Sequence, residues 1–260
     1  MKKMLFGFIM VSVVLISGCV QQSVQGDLSA EQHQQRAEQS AKIHTRLAAE
    51  YYYRGQYKVS IEEVKEALRA NSSYAPAYNV FGLIYMSLHE NDLAQKNFEQ
   101  ALKFSPKDPE IHNNYGWFLC QRMPERMDRA IEHFMTALKD RLYSAPERSY
   151  TNAGVCELKR NSYSAASEYF KRALLIDSTY SAAVIGLIEV DFRSGNVMEA
   201  KAKLSRYMQN STPTPQSLWL AIQIEREIGD HYAEDSFAYQ LRKRFPESIE
   251  ASALREGRLK

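Results

Sequence analysis

Catalytic chemistry has few footholds in this sequence. None of its six histidines (His33, His44, His89, His112, His133 and His231) is paired with another His or Cys at metal-ligand spacing. There is no glycine-rich phosphate loop, no nucleophile elbow and no HExxH. Carboxylate pairs such as Glu62–Glu63 fall on amphipathic helices and read as solvated faces. The expectation is a protein that is not an enzyme and takes no cofactor and no metal. An excess of one charge is also missing. The chain has 33 Lys+Arg against 31 Asp+Glu, and without Lys2 and Lys3 the balance is even. Nucleic-acid binding, which needs a basic field, is therefore disfavoured. Glycine (11) and proline (8) are few and sit at turns or repeat ends, and no run alternates as a strand. The apolar run Met4 to Ser17 is too short for a comfortable membrane span.

What is present is a repeat. Ala75 to Asp108 places Tyr78, Phe81, Gly82 and Tyr85 at i, i+3, i+4 and i+7, one face of a helix. Ala94, Phe98 and Ala101 share a face of a second helix, and Pro106 ends it. This is the spacing of a tetratricopeptide repeat, a helical hairpin with small residues where its helices approach. A lone hairpin cannot bury its apolar face, so more are expected. Stepping by 34 residues gives units at Ala41, Ala75, Pro109, Glu147, Ser181 and Pro215. The unit from Ala41 carries Ser60 where Ala is usual and Ser72 where Pro is usual. The unit from Pro109 needs about two extra residues near Met123-Pro124-Glu125 and about two more after its second helix. The last unit is degenerate, as an array's end should be. The expected fold is all-α, a right-handed superhelix of about six repeats over 41–248, with 249–260 as cap or tail. His44 and His112 fall at the aromatic core position of their repeats, where a packed or half-exposed imidazole is expected.

The start of the chain suggests a compartment. Lys2 and Lys3 precede the apolar run, which closes in Leu15-Ile16-Ser17-Gly18-Cys19. This resembles the lipobox of bacterial lipoproteins. The resemblance implies a signal peptide over 1–18, cleavage before Cys19 and lipidation of its thiol (palmitate among the acyl chains). Each buried methylene contributes about 0.8 kcal/mol, so two or three acyl chains anchor a domain stably. Val20, not Asp, follows the cysteine, which favours the outer membrane, periplasmic face. Residues 19–40 are Gln/Ser-rich and read as a tether, helical at most from Leu28.

Cys120 and Cys156 remain at nearby positions of successive first helices. Two reduced small side chains are the expectation. An oxidising periplasm leaves a disulfide as the alternative.

With no reactive cluster, function must lie in shape. First helices of such arrays line a concave groove. The positions that tend to face it here are Tyr52, Tyr53, Asn79, Leu83 and Met86, then Asn113, Trp117, Cys120 and Gln121, then Thr151, Val155 and Leu158. Ile185, Phe192, Arg193, Trp219, Gln223 and Arg226 continue the series. Large apolar side chains lined along one surface mark a partner site for an amphipathic helix or an extended apolar segment, the first three repeats being favoured. The alternative use of these side chains is packing between repeats.

Lipobox, tether and six repeats together resemble the PilF/PilW family of type IV pilus biogenesis lipoproteins. Asn113-Asn114-Tyr115-Gly116-Trp117-Phe118-Leu119 is similar to that family's NNYG-x-FL segment. Leu142-Tyr143 with Pro146-Glu147-Arg148-Ser149 is similar to its LYxxPERS insertion, and Leu241 to Ser248 to its closing segment. The resemblance implies a pilotin that binds the outer-membrane secretin of the pilus machine. A periplasmic scaffold lipoprotein gathering cell-wall enzymes is the alternative function.

Overall fold

The computed structural model describes residues 17–258, with side chains from 29 to 258. Residues 1–16, where a signal peptide is expected, lie outside the described residues, as does the side chain of Cys19. The described residues hold thirteen α-helices, one 3-10 turn and no strand. They fall into two compact units that divide after Pro106.

The first unit has four helices: α1 (Ser17–Tyr53), α2 (Tyr57–Ala70), α3 (Ala75–Ser87) and α4 (Asn91–Phe104). Helix α1 already runs through Val20 to Leu28, where a coil was expected. Glutamine and leucine there are good helix formers. At 1.5 Å per residue the helix is about 55 Å long. Its second half packs on α2 and α3 through Ala41, Ala48, Val64, Ala77, Phe81 and Ile84. Ser60 is fully buried, and its hydroxyl donates to the Ala48 carbonyl at 2.6 Å. A serine can thus replace the usual alanine because its one polar group is satisfied. Gly82 lies under Phe98, where a Cβ would come within 2.6 Å of the ring.

The second unit has nine helices: α5 (Pro109–Arg122), α6 (Met127–Ala137), α7 (Pro146–Lys159), α8 (Tyr163–Ile176), α9 (Ser181–Arg193), α10 (Val197–Asn210), α11 (Pro215–Ile228), α12 (His231–Arg244) and α13 (Ile249–Arg255). They form four hairpins and a final short helix. The extra residues of the Pro109 repeat take the form of a 3-10 turn, Pro124–Arg126, and a loop between α6 and α7. Helix α13 lies within 249–260, the stretch expected as cap or tail. Ser248 caps its N-terminus, and Ala251 and Leu254 pack with Leu218 and Leu241.

The 34-residue period is most visible in the turns within hairpins. Gly55, His89, Asn161, Gly195 and Gly229 all have left-handed φ, between 62° and 86°. Glycine takes this conformation without a Cβ clash, and asparagine and histidine tolerate it. The hairpin α5/α6 lacks such a residue. Met123 there has φ −134°, and the 3-10 turn makes the reversal instead.

Candidate functional site

In the first unit the expected partner-facing residues cluster at the end of α1 and along α3. Tyr53 is 77% exposed and stands edge-on to Tyr52, with ring centroids 5.4 Å apart. Tyr52 is half-buried, touches Tyr57, and shares a 3.2 Å hydrogen bond with the Ser87 hydroxyl. Burial of this phenol raises its pKa. Leu83 and Met86 are half-buried, while Asn79 is buried. An open aromatic surface therefore ends α1, with apolar side chains on α3.

In the second unit, Trp117, Gln121 and Val155 are half-buried, and Asn113 and Leu158 are buried. Asn113 is a joint. Its side-chain oxygen accepts from the Ser149 hydroxyl at 2.9 Å and from the Asn152 amide at 3.0 Å. Beside it Arg148 bonds Glu110 and donates to the Tyr143 hydroxyl at 3.1 Å. Asn113 and Arg148 belong to the two motifs that carry the family resemblance. The structure shows those motifs holding α5 and α7 together. Among the further positions in the series, Thr151 is buried, and Trp219 packs with Leu218 and Leu241. Phe192 packs with Ile188. Gln223 is half-buried, and Arg226 is exposed and paired with Glu234 at 2.5 Å.

The expectation of two reduced thiols is corrected. Cys120 and Cys156 form a disulfide, with Cα atoms 5.9 Å apart. They sit at matching heights on α5 and α7, and tertiary stacking brings those heights within bonding distance. The side chain counted toward the groove at Cys120 is therefore buried and spent.

Val155 and Leu158 do meet open space. With Phe170, Ile185 and Tyr207 they line a pocket of about 430 Å³ among α7 to α10 and the start of α11. Sequence reasoning missed that Tyr207, on a second helix, completes this wall; the groove pattern counts first helices only.

His44, His112 and His133 are held in contacts with neighbouring helices. His44 Nδ1 bonds Glu63 at 2.7 Å. His112 Nδ1 meets His133 Nδ1 at 2.8 Å, under the ring of Tyr115. Burial, and then the neighbouring His112 and Arg129, press the His133 pKa down to about 4. No cluster of three metal-binding side chains occurs among the described residues, and no described helix is long and apolar enough to cross a membrane.

Comparison with known proteins fits this picture. Residues 75–108 and 147–180 match the tetratricopeptide repeat family. The type IV pilus assembly protein PilF of Pseudomonas aeruginosa is 23% identical over 235 residues, covering 90% of this chain and 91% of the relative. The crystal structure of PilW, a widely conserved type IV pilus biogenesis factor, is 31% identical. It superposes with a TM-score of 0.71 over 83% of this chain and 98% of that one. The P. aeruginosa pilF structure shares the fold at 22% identity and a TM-score of 0.66, over 85% and 99% of the two chains.

Proposed function

This chain belongs to the PilF/PilW family of tetratricopeptide-repeat proteins of type IV pilus biogenesis, and from that premise we propose that it is a pilotin. In this reading Cys19 carries the lipid, the outer membrane holds the protein on its periplasmic face, and the repeats bind an apolar or amphipathic segment of the pilus secretin. The carrying observation is the likeness to PilW over nearly that protein's whole length, at 31% identity. The open aromatic end of α1 and the apolar pocket of the second unit support the binding role. The repeat scaffold binds proteins and is not catalytic, which fits a carrier that shields a hydrophobic segment during delivery.

Deleting the gene in the native bacterium tests the reading. Secretin multimers and surface pili are expected to disappear, and the secretin to co-purify with the tagged protein from wild-type cells. Cys19→Ala is expected to release the protein from membranes. Normal secretin multimers and pili in the deletion strain, with altered murein hydrolase activity, would replace the pilotin with a cell-wall scaffold.

A further inference from the structure

The pocket beside Leu158 has features that the pilotin reading does not use. Its volume, about 430 Å³, lies in the range of sites that take small ligands or anchoring side chains. Helix α9 packs closely on α8 beside this pocket. A Cβ on Gly186 would come within 2.4 Å of the Phe170 ring, so only glycine lets the two helices approach this closely. Leu158, Phe170 and Ile185 are buried and supply an apolar floor, with Val155 on the wall.

The rim is charged, and unevenly. Arg193 is neutralised by Glu189, 2.6 Å away on the same helix. Lys159 is different: its ammonium donates to the amide oxygen of Gln121, a neutral group. Lys159 is exposed, yet desolvation against the protein surface, and then the guanidinium of Arg122 close by, press its pKa down. A cation bonded to a neutral group thus lies at the rim of an apolar cavity, where an incoming carboxylate can pair with it. Ser181 and Gln216, also at the pocket, offer hydrogen bonds suited to a peptide backbone, which an acyl chain would not use.

We propose that this pocket docks a partner-protein segment in which a large apolar side chain adjoins a carboxylate. The apolar side chain seats on Leu158 and Ile185, and the carboxylate pairs with Lys159. The charge complementarity of the rim selects this occupant over a neutral or basic apolar segment. The inference goes beyond the pilotin reading and stands apart from the identity of the pilus partner. Secretin capture without peptide docking removes only the pocket proposal, and the reverse result removes only the pilotin.

The test uses the methyl-labelled full chain and three short blocked peptides in a Ser/Gly background, with cores Leu-Phe-Asp, Leu-Phe-Asn and Leu-Phe-Lys. The Asp peptide is expected to shift the methyl resonances of Val155, Leu158 and Ile185. It should bind about fivefold more tightly than the Asn peptide, as one partly shielded ion pair of ~1 kcal/mol allows. Lys159→Glu should weaken the Asp peptide and strengthen the Lys peptide, a reversal that a merely structural lysine would not produce. Should that variant fail to fold, Lys159→Met is expected to equalise the Asp and Asn peptides. Equal affinity for those two peptides on the wild-type chain, shifts confined to other methyls, no binding at all, or displacement of the Asp peptide by laurate would each overturn the proposal.

Discussion

The carboxamide oxygen of Asn113 on α5 accepts a 2.9 Å hydrogen bond from the hydroxyl of Ser149 on α7. Both residues are buried. One accepting atom there satisfies two donors, Ser149 and Asn152. Removing it strands polar groups away from water, at a cost of about 1–3 kcal/mol. Asn113→Ala is therefore expected to lower stability by about that much in chemical denaturation. Ser149→Ala, which leaves Asn113 bonded to Asn152, should cost less. Equal losses for the two variants would show that the joint is not shared in this way.

The covalent tie at the other end of the same helix pair makes a second expectation. Cys120 and Cys156 are 36 residues apart and almost fully buried. A cross-link of this kind restricts the unfolded chain and adds about 2–4 kcal/mol. Cys120→Ser with Cys156→Ser is expected to lower the denaturation midpoint accordingly. Thiol titration of the denatured, unreduced chain should find neither cysteine free.

Acid should weaken the second unit through His133. Its folded pKa of about 4 lies below the ordinary 6.5. Below pH 6.5 the unfolded chain takes up a proton that the folded chain refuses, so stability falls from there toward pH 4. Thermal melts over this window should show the decline, and His133→Gln should remove part of the slope.

His89 occupies the left-handed turn position that Gly55, Gly195 and Gly229 fill elsewhere, with φ 62°. An L-residue is strained there, while glycine adds entropy to the unfolded chain. The balance favours glycine, and His89→Gly is expected to raise stability by about 0.5–1 kcal/mol. Gly195→Ala should do the reverse. A Cβ there meets nothing within 4 Å, so the loss would report backbone strain alone.

Trp117 stands half-buried beside Phe118, which is fully buried, and it lies on the groove-facing side of α5's pattern. Trp117→Ala is expected to weaken binding of the protein partner about tenfold or more, as aromatic anchors do. Circular dichroism and the melting temperature should change little. Collapse of the melt would place Trp117 in the core instead.

The sequence by itself determined the hairpins, because their signals are local. Tyr78, Phe81, Gly82 and Tyr85 share a helix face by spacing alone, and Pro109, Pro146 and Pro215 mark helix starts without reference to the rest of the chain. The groove pattern was only partly legible. It gathered Val155 and Leu158, which line a pocket, together with Asn113 and Cys120, because spacing on one helix does not tell which side chains a neighbouring helix will claim. Tertiary structure decided that Asn113 is a joint, that Cys120 meets Cys156, and that Tyr207 completes a cavity over Leu158. Each outcome depends on approach distances of a few ångströms between residues tens of positions apart. Those distances follow from how whole helices pack, which a local pattern does not encode.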